Sequence, residues 1–231
     1  MKIDIEGLVI IVGNYGSGKT EVAINLAVNR KRDGVDVRIA DLDLVNPYFR
    51  TREAKNQLDR LGIEVVMPSR QYHSADLPIL IPQVAGMIKA PSQLTILDVG
   101  GDDVGATVLA ALGDALQSKA LALLQVVNPF RPFTDTIEGC LKIRDEIEAA
   151  AKIRINGFIG NANLIEETRI TDIYQGYQFV QQLAEQSGLP LKFITVAAEM
   201  TEKIDHERFV CPVLPIERQL VPPWLKAVPL E

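Results

Sequence analysis

Cysteine is nearly missing from this 231-residue chain. The two present, Cys140 and Cys211, lie far apart and in no CxxC or CxC pair. That excludes a thiolate cluster for zinc or iron–sulfur and fits a reducing compartment. Excess positive charge is missing as well. Lys and Arg number 24 against 30 Asp and Glu, a net charge of −6 that argues against a general nucleic-acid binder. Long apolar runs are also lacking. Leu8–Val12 is far too short to span a bilayer, and Asp4 and Glu6 break up any apolar leader. No membrane attachment is expected, and the location expected is cytoplasmic. Proline gathers at the end of the chain, where residues 212, 215, 222, 223 and 229 forbid a long amphipathic helix. From about residue 211 the chain is expected to lie over the body as an extended strap. What remains is 47% hydrophobic and 23% charged, the composition of a globular domain, and a single domain over 1–231 is the expectation.

Against these absences one motif stands out. Gly13-Asn14-Tyr15-Gly16-Ser17-Gly18-Lys19-Thr20 fits G-x-x-x-x-G-K-[ST] at every fixed position. The glycines let the backbone curl and turn successive N–H groups inward as an anion nest. Lys19 can reach the β- and γ-phosphates of a nucleotide, and the Thr20 hydroxyl can ligate Mg²⁺. The apolar run Leu8–Val12 reads as a strand buried on both faces. Val22, Ala23, Leu26 and Ala27 recur at helical spacing, so phosphates would rest on a helix N-terminus.

Further strand-like runs follow at Asp36–Ala40, Ile63–Met67, Thr95–Val99, Ala120–Asn128, Ile155–Gly160 and Leu191–Val196. Helical segments fill the gaps: Lys19–Arg32, Arg50–Leu61, Pro78–Lys89, Val104–Gln117, Thr134–Ala151 and Thr168–Ser187. Arg70–Ile81 reads equally well as irregular chain, since Pro78 and Pro82 interrupt a helix. The alternation predicts an α/β fold, a mostly parallel sheet with helices on both faces. Ligands bind such sheets beyond the carboxyl ends of the strands. Polar residues and glycines crowd there: the glycine loop, Asp41-Leu42-Asp43, Asp98-Val99-Gly100-Gly101, Asn128-Pro129 and Gly160-Asn161-Ala162-Asn163.

Asp98 ends an apolar strand, the position from which a carboxylate holds the nucleotide's Mg²⁺ through water. Gly101, lacking a side chain, can bring its N–H to a γ-phosphate. Asp41 and Asp43 follow the second strand, and Asp43 is preferred as the group that positions the attacking water or helps hold the metal. Arg50 and Arg52 read either as phosphate contacts or as a solvated helix face. Val99, where a Glu would serve as general base, argues against the P-loop motor ATPases.

The glycine loop, Asp41-x-Asp43 and Asp98-x-x-Gly101 together resemble the nucleotide-switch ATPases of the MinD/ParA/nitrogenase-iron-protein group, over most of the first 165 residues. Asp98–Val104 is similar to the second switch of the nitrogenase iron protein. Gly157-Phe158-Ile159-Gly160-Asn161 resembles the segment whose Asn binds adenine, which makes Asn161 the implied base reader, ahead of Asn163. The resemblance implies ATP and Mg²⁺ as ligands and an unidentified client protein as partner. Two departures matter. The group's signature lysine falls at Asn14, so any dimer is not expected to use the signature-lysine mode. The iron protein's cluster cysteine falls near Gly105, so cluster electron transfer is not implied.

The expected activity is therefore that of an ATP-binding, slowly hydrolysing switch. A small-molecule kinase or amidating ligase of the cobyrinic-acid-synthase kind is the rival, with Asn46–Arg50 and Gln71–His73 as acceptor candidates. A regulatory module with little turnover is the third reading. Adenine over guanine rests on the resemblance, since no Asn-Lys-x-Asp guanine reader occurs.

Overall fold

A computed structural model describes residues 1–43, 51–67, 77–101, 103–116, 120–221 and 227–230. Eight strands form one sheet: β1 (Gly7–Gly13), β2 (Val37–Leu42), β3 (Glu64–Val66), β4 (Leu94–Val99), β5 (Leu121–Val127), β6 (Gly157–Gly160), β7 (Leu191–Ala197) and β8 (Val213–Ile216). Their order is β3-β2-β4-β1-β5-β6-β7-β8, and every pairing is parallel. All carboxyl ends therefore meet along one edge. β1 sits at its middle, between β4 and β5, where the chain changes direction across the sheet.

Alternation along β1 builds a core on each face. Val9 and Ile11 face α1 (Lys19–Arg32) and α2 (Lys55–Arg60). Leu8, Ile10 and Val12 face α3 (Leu77–Lys89), α4 (Asp103–Ala111) and α5 (Gly113–Leu116), with Ala151 of α6 (Ile137–Ala151) completing that layer. Beyond β5, α6 and α7 (Ile170–Ser187) pack together over Val127 and Phe158. Parallel strands covered on both sides need apolar residues at consecutive positions, which is why these strands read as runs.

The expected elements recur with three differences and with the ambiguity at the start of α3 resolved as helix. The helix expected over Arg50–Leu61 opens as a 3₁₀ turn, Thr51–Ala54, before α2, and Arg50 lies outside the described residues. α3 runs through Pro82, because the buried Val84, Met87 and Ile88 hold its later turns against the sheet. The segment expected as one helix over Val104–Gln117 breaks at Leu112. There one N–H is shared between the carbonyls of Val108 and Leu109, 3.1 Å each, and Gly113 starts a separate turn. Finally, the proline-rich end is only in part a strap: Val213–Ile216 add an eighth strand beside β7. Pro215 fits there because, among the described residues, β8 has a sheet neighbour on one side only, so no ladder bond needs its missing N–H. Beyond β8, residues 217–221 and 227–230 extend along α1 and α2. No helix among the described residues is long and apolar enough to cross a membrane.

Candidate nucleotide site

Helix α1 begins without the usual polar cap. Its N-cap is Gly18, at φ +88°, with no side chain to bond the first N–H groups. Ser, Thr, Asp or Asn ordinarily fills this position, so the uncapped donors and the positive end of the helix dipole face the loop. Gly18 is needed for a second reason. A Cβ there would lie 2.2 Å from the Asn161 amide nitrogen. That amide donates to the Ser17 carbonyl at 2.7 Å, while its oxygen accepts a short hydrogen bond from the Thr195 hydroxyl. Asn161, expected to read a base, is thus engaged at both ends inside the protein and ties the glycine loop to β6 and β7.

Lys19 is nearly buried, and its ammonium donates to the Asn14 carbonyl at 3.0 Å, crossing the mouth of the loop. Gly101 lies directly above it. A Cβ on Gly101 would stand 2.5 Å from Lys19 Nζ and 2.9 Å from both the Gly13 carbonyl oxygen and the Tyr15 nitrogen. The loop after β4 therefore rests on the glycine loop. On the other flank, Arg131 Nε donates to the Gly16 carbonyl at 3.3 Å. The Asn14 side chain donates to the Pro132 carbonyl and accepts from Tyr15 N–H, both at 2.9 Å.

Asp98 is completely buried at the end of β4. Burial pushes its carboxyl up to about 7, and the neighbouring Asp41 adds to this, against the opposing pull of Thr51, Thr20 and Lys19. The β2–β4 register places Asp41 directly opposite Asp98. Asp41, not the preferred Asp43, is thus the carboxylate beside the metal candidate. Asp43 stands two residues further on, its N–H bonded to Asp41 Oδ1 at 3.1 Å. One residue escaped the sequence reading altogether. Thr51, fully buried, donates its hydroxyl to Asp98 Oδ2 at 2.8 Å. Nothing in its local sequence marks it, because its burial depends on a turn formed after β2.

These residues suit a nucleotide-bound Mg²⁺. Asp98 Oδ1 and the Ser17 hydroxyl are buried without a hydrogen-bond partner among the described residues. Thr20 and Asp98 are the hard oxygen donors this ion takes. Among the described residues no three His, Cys, Asp or Glu side chains converge into a metal cage. Asn46–Arg50 and Gln71–His73 lie outside the described residues, as does the Arg52 side chain.

No protein-family model matches this chain, and no curated protein matches its sequence. Solved structures do share its fold. The cell division protein FtsY of Thermotoga maritima aligns at 19% identity and a TM-score of 0.55, over 85% of this chain and 64% of that one. The signal recognition particle 54 kDa protein of Aeropyrum pernix K1, in complex with GDP, aligns at 18% and 0.54, over 83% and 42%. The receptor FtsY of Elizabethkingia anophelis, also with GDP, aligns at 17% and 0.53, over 85% and 59%. This chain thus spans less than two thirds of the length of each. The fold is that of the P-loop NTPases: one domain, an eight-stranded parallel sheet flanked by helices. These neighbours are not members of the MinD/ParA group that the sequence resembles.

Proposed function

We propose that this chain is a nucleotide switch that binds Mg²⁺·ATP, hydrolyses it slowly and passes its state to a client protein. The observation that carries this reading is the seating of Gly101 on a glycine loop whose lysine, Lys19, lies directly beneath it. Two loops that touch at the phosphate position are the parts a γ-phosphate orders and its loss releases. In this reading Lys19 and the N–H groups of Gly16, Ser17, Gly18 and Thr20 hold the phosphates. Thr20 and Asp98 would hold Mg²⁺, which supplies charge neutralisation at the β- and γ-oxygens. Asp43 orients the attacking water, with Asp41 beside it. Asn161 would contact the base by giving up one of its two internal bonds, with Asn163, two residues on, as the alternative. The membership implied by the resemblance, the MinD/ParA group, favours adenine. The GDP in two of the structural neighbours makes guanine the competitor, and calorimetry with ATP and GTP analogues side by side decides the base.

The two acidic positions separate on mutation. Asp43→Asn is expected to leave binding of an ATP analogue within about threefold while slowing hydrolysis by about 10²-fold or more, the range of a lost acid–base contribution. Asp98→Asn is expected to weaken the Mg²⁺ dependence of binding. Reversed patterns would exchange the roles, and two silent variants would remove both residues from the site. A steady-state phosphate-release assay across a Mg²⁺ series reads both.

Asp98→Asn carries a second expected outcome, in the metal-free protein. The folded Asp98 carboxyl titrates near 7, against an ordinary value of 3.8. Between those values the folded state holds a proton that the unfolded chain has released. Stability therefore falls as pH rises from about 4 to about 7 and is flat above. The amide removes that slope. At pH 8 the variant should melt about 2–4 °C higher for each kcal/mol of relieved charge burial. An unchanged profile between pH 5 and 8 would show that Asp98 ionises normally.

The assembly prediction rests on Asn14. Its amide is bonded within its own chain, to Pro132 and Tyr15, and carries no charge. An ATP analogue is therefore not expected to drive the tight dimer in which a cross-subunit lysine meets the partner's phosphate. Light scattering in nucleotide-free, ADP and ATP-analogue states should show no analogue-dependent dimer, with Asn14→Lys as comparison.

A further inference from the structure

β1 ends in the glycine loop, and its two sheet neighbours, β4 and β5, each send the segment that follows them onto that loop. From β4 comes Gly101, whose missing Cβ lets it rest against Lys19, Gly13 and Tyr15. From β5 comes the turn of residues 128–134, which brings Arg131. Arg131 Nε donates to the Gly16 carbonyl at 3.3 Å, and the Asn14 amide donates to the neighbouring Pro132 carbonyl at 2.9 Å. Gly101 and Arg131 therefore meet the loop at adjoining residues, Tyr15 and Gly16. That end of the loop is where the γ-phosphate is expected.

The turn that carries Arg131 is held in one shape from within. Asn128, almost fully buried, accepts the Phe130 N–H at 3.0 Å and donates to the Asn163 carbonyl at 2.9 Å. Thr134, completely buried, donates its hydroxyl to the Asn128 carbonyl at 2.7 Å. The Arg131 N–H donates to the Asn128 carbonyl, and the Thr134 N–H to the Arg131 carbonyl, both at 3.2 Å. Phe133 stands in the left-handed region, at φ +69°, with 75% of its surface exposed. A bulky aromatic placed there gains little burial to offset the strain, which points to a backbone shape kept for function. Gly139 makes room for it, since a Cβ there would lie 2.2 Å from the Phe133 carbonyl oxygen. The Arg131 backbone is thus fixed by bonds that do not involve its side chain. The guanidinium engages Gly16 through Nε, and among the described residues its two terminal nitrogens have neither a hydrogen bond nor an acidic partner. An arginine anchored in this way presents its planar fork to an anion at little further cost in entropy.

We propose that Arg131 is a catalytic residue supplied by the same chain as the loop, donating to the γ-phosphate and to the oxygen that bridges it to the β-phosphate. The proposal rests on the nucleotide-switch reading above and adds a second cation to it. In hydrolysis the water oxygen bonds to the γ-phosphorus, and the bond from that phosphorus to the bridging oxygen breaks. The electron pair stays on the bridging oxygen, now the end of the diphosphate, where the guanidinium meets the growing negative charge. One proton of the water stays on the inorganic phosphate, and the other is released to solvent.

Phosphate release from Mg²⁺·ATP and Mg²⁺·GTP, measured on the full chain beside calorimetry with ADP and GDP, tests this. Arg131→Ala should slow turnover of the bound triphosphate by about 10²-fold or more, the range for one lost charge-stabilising donor. Its affinity for the matching diphosphate should stay within about threefold, because the contact that matters forms beyond the β-phosphate. Added guanidinium ion should restore part of the lost rate, and sodium ion at the same concentration should not. Arg131→Lys keeps the charge without the planar fork, so its rate should fall between parent and Ala. The Lys variant carries the test even if Arg131→Ala folds poorly. A role confined to holding the Gly16 carbonyl would lower diphosphate affinity and melting temperature together, with no response to guanidinium. That result would overturn the proposal, as would turnover by Arg131→Ala at the parent's rate. A parent that binds a triphosphate without turning it over would overturn the catalytic assignment alone. Absence of binding by either triphosphate would overturn the nucleotide reading, and the role of Arg131 with it.

Discussion

Lys19→Ala is expected to lower affinity for an ATP analogue by at least about 100-fold while the protein stays folded. The ammonium stands at the centre of the loop, within reach of whatever the glycine curl and the uncapped end of α1 would bind. Two charge-assisted contacts to phosphate, each about 1.5–3 kcal/mol, amount to 3 kcal/mol or more. Each 1.4 kcal/mol is tenfold in affinity. The folded state loses far less. The side chain donates to the Asn14 carbonyl, and the helix that carries it is held by Val22, Ala23, Leu26 and Ala27 in the core. Calorimetry supplies the affinity and a melting curve the control. Unchanged affinity would sink the phosphate assignment.

Gly101→Ala is the second large effect expected, and it arises from packing instead of charge. The added Cβ would stand 2.5 Å from Lys19 Nζ and 2.9 Å from Gly13 O and Tyr15 N. Lys19 can swing aside, but the other two atoms are backbone of the glycine loop. Either that loop or the loop after β4 must move. Overpacking of this kind costs about 1–3 kcal/mol, and the displacement falls on the two segments that the γ-phosphate is expected to join. Analogue affinity should drop by about tenfold or more, with a melting point lower by about 2–4 °C for each kcal/mol of strain. Gly113→Ala is the matched control. A Cβ there meets nothing within 4 Å, and the residue opens a helical turn, so affinity and stability should hold or rise slightly. If Gly101→Ala binds like the parent, the two loops do not work together.

The parallel sheet was legible because burial on both faces demands consecutive apolar residues, and Leu8–Val12, Thr95–Val99 and Leu191–Val196 show them plainly. β8 was not legible. Its four residues include Pro215 between other prolines, and only its place at the sheet's edge makes that proline acceptable. α3 was legible over Pro78–Lys89, with its start left ambiguous by Pro78 and Pro82, and packing on the sheet sustains it through Pro82.

At the site, chemistry concentrated in one continuous motif could be read directly. The loop from Gly13 to Thr20 is one continuous stretch between β1 and α1 whose glycines let the backbone curl, so local sequence was enough to place it. Asp98 and Gly101 were readable because each sits at or just beyond the end of a recognisable strand. What only the tertiary structure decided are the partnerships across distant segments. Register between β2 and β4 put Asp41, not Asp43, against Asp98. The fold of 51–54 brought Thr51 onto the same carboxylate. The missing Cβ of Gly18 let Asn161 reach the Ser17 carbonyl and become a strut of the loop. Gln219 met Gln57 across 162 residues of chain. A hydrogen bond between remote side chains needs a distance of about 3 Å, and no spacing along the chain encodes that distance until the sheet has set which strands are neighbours.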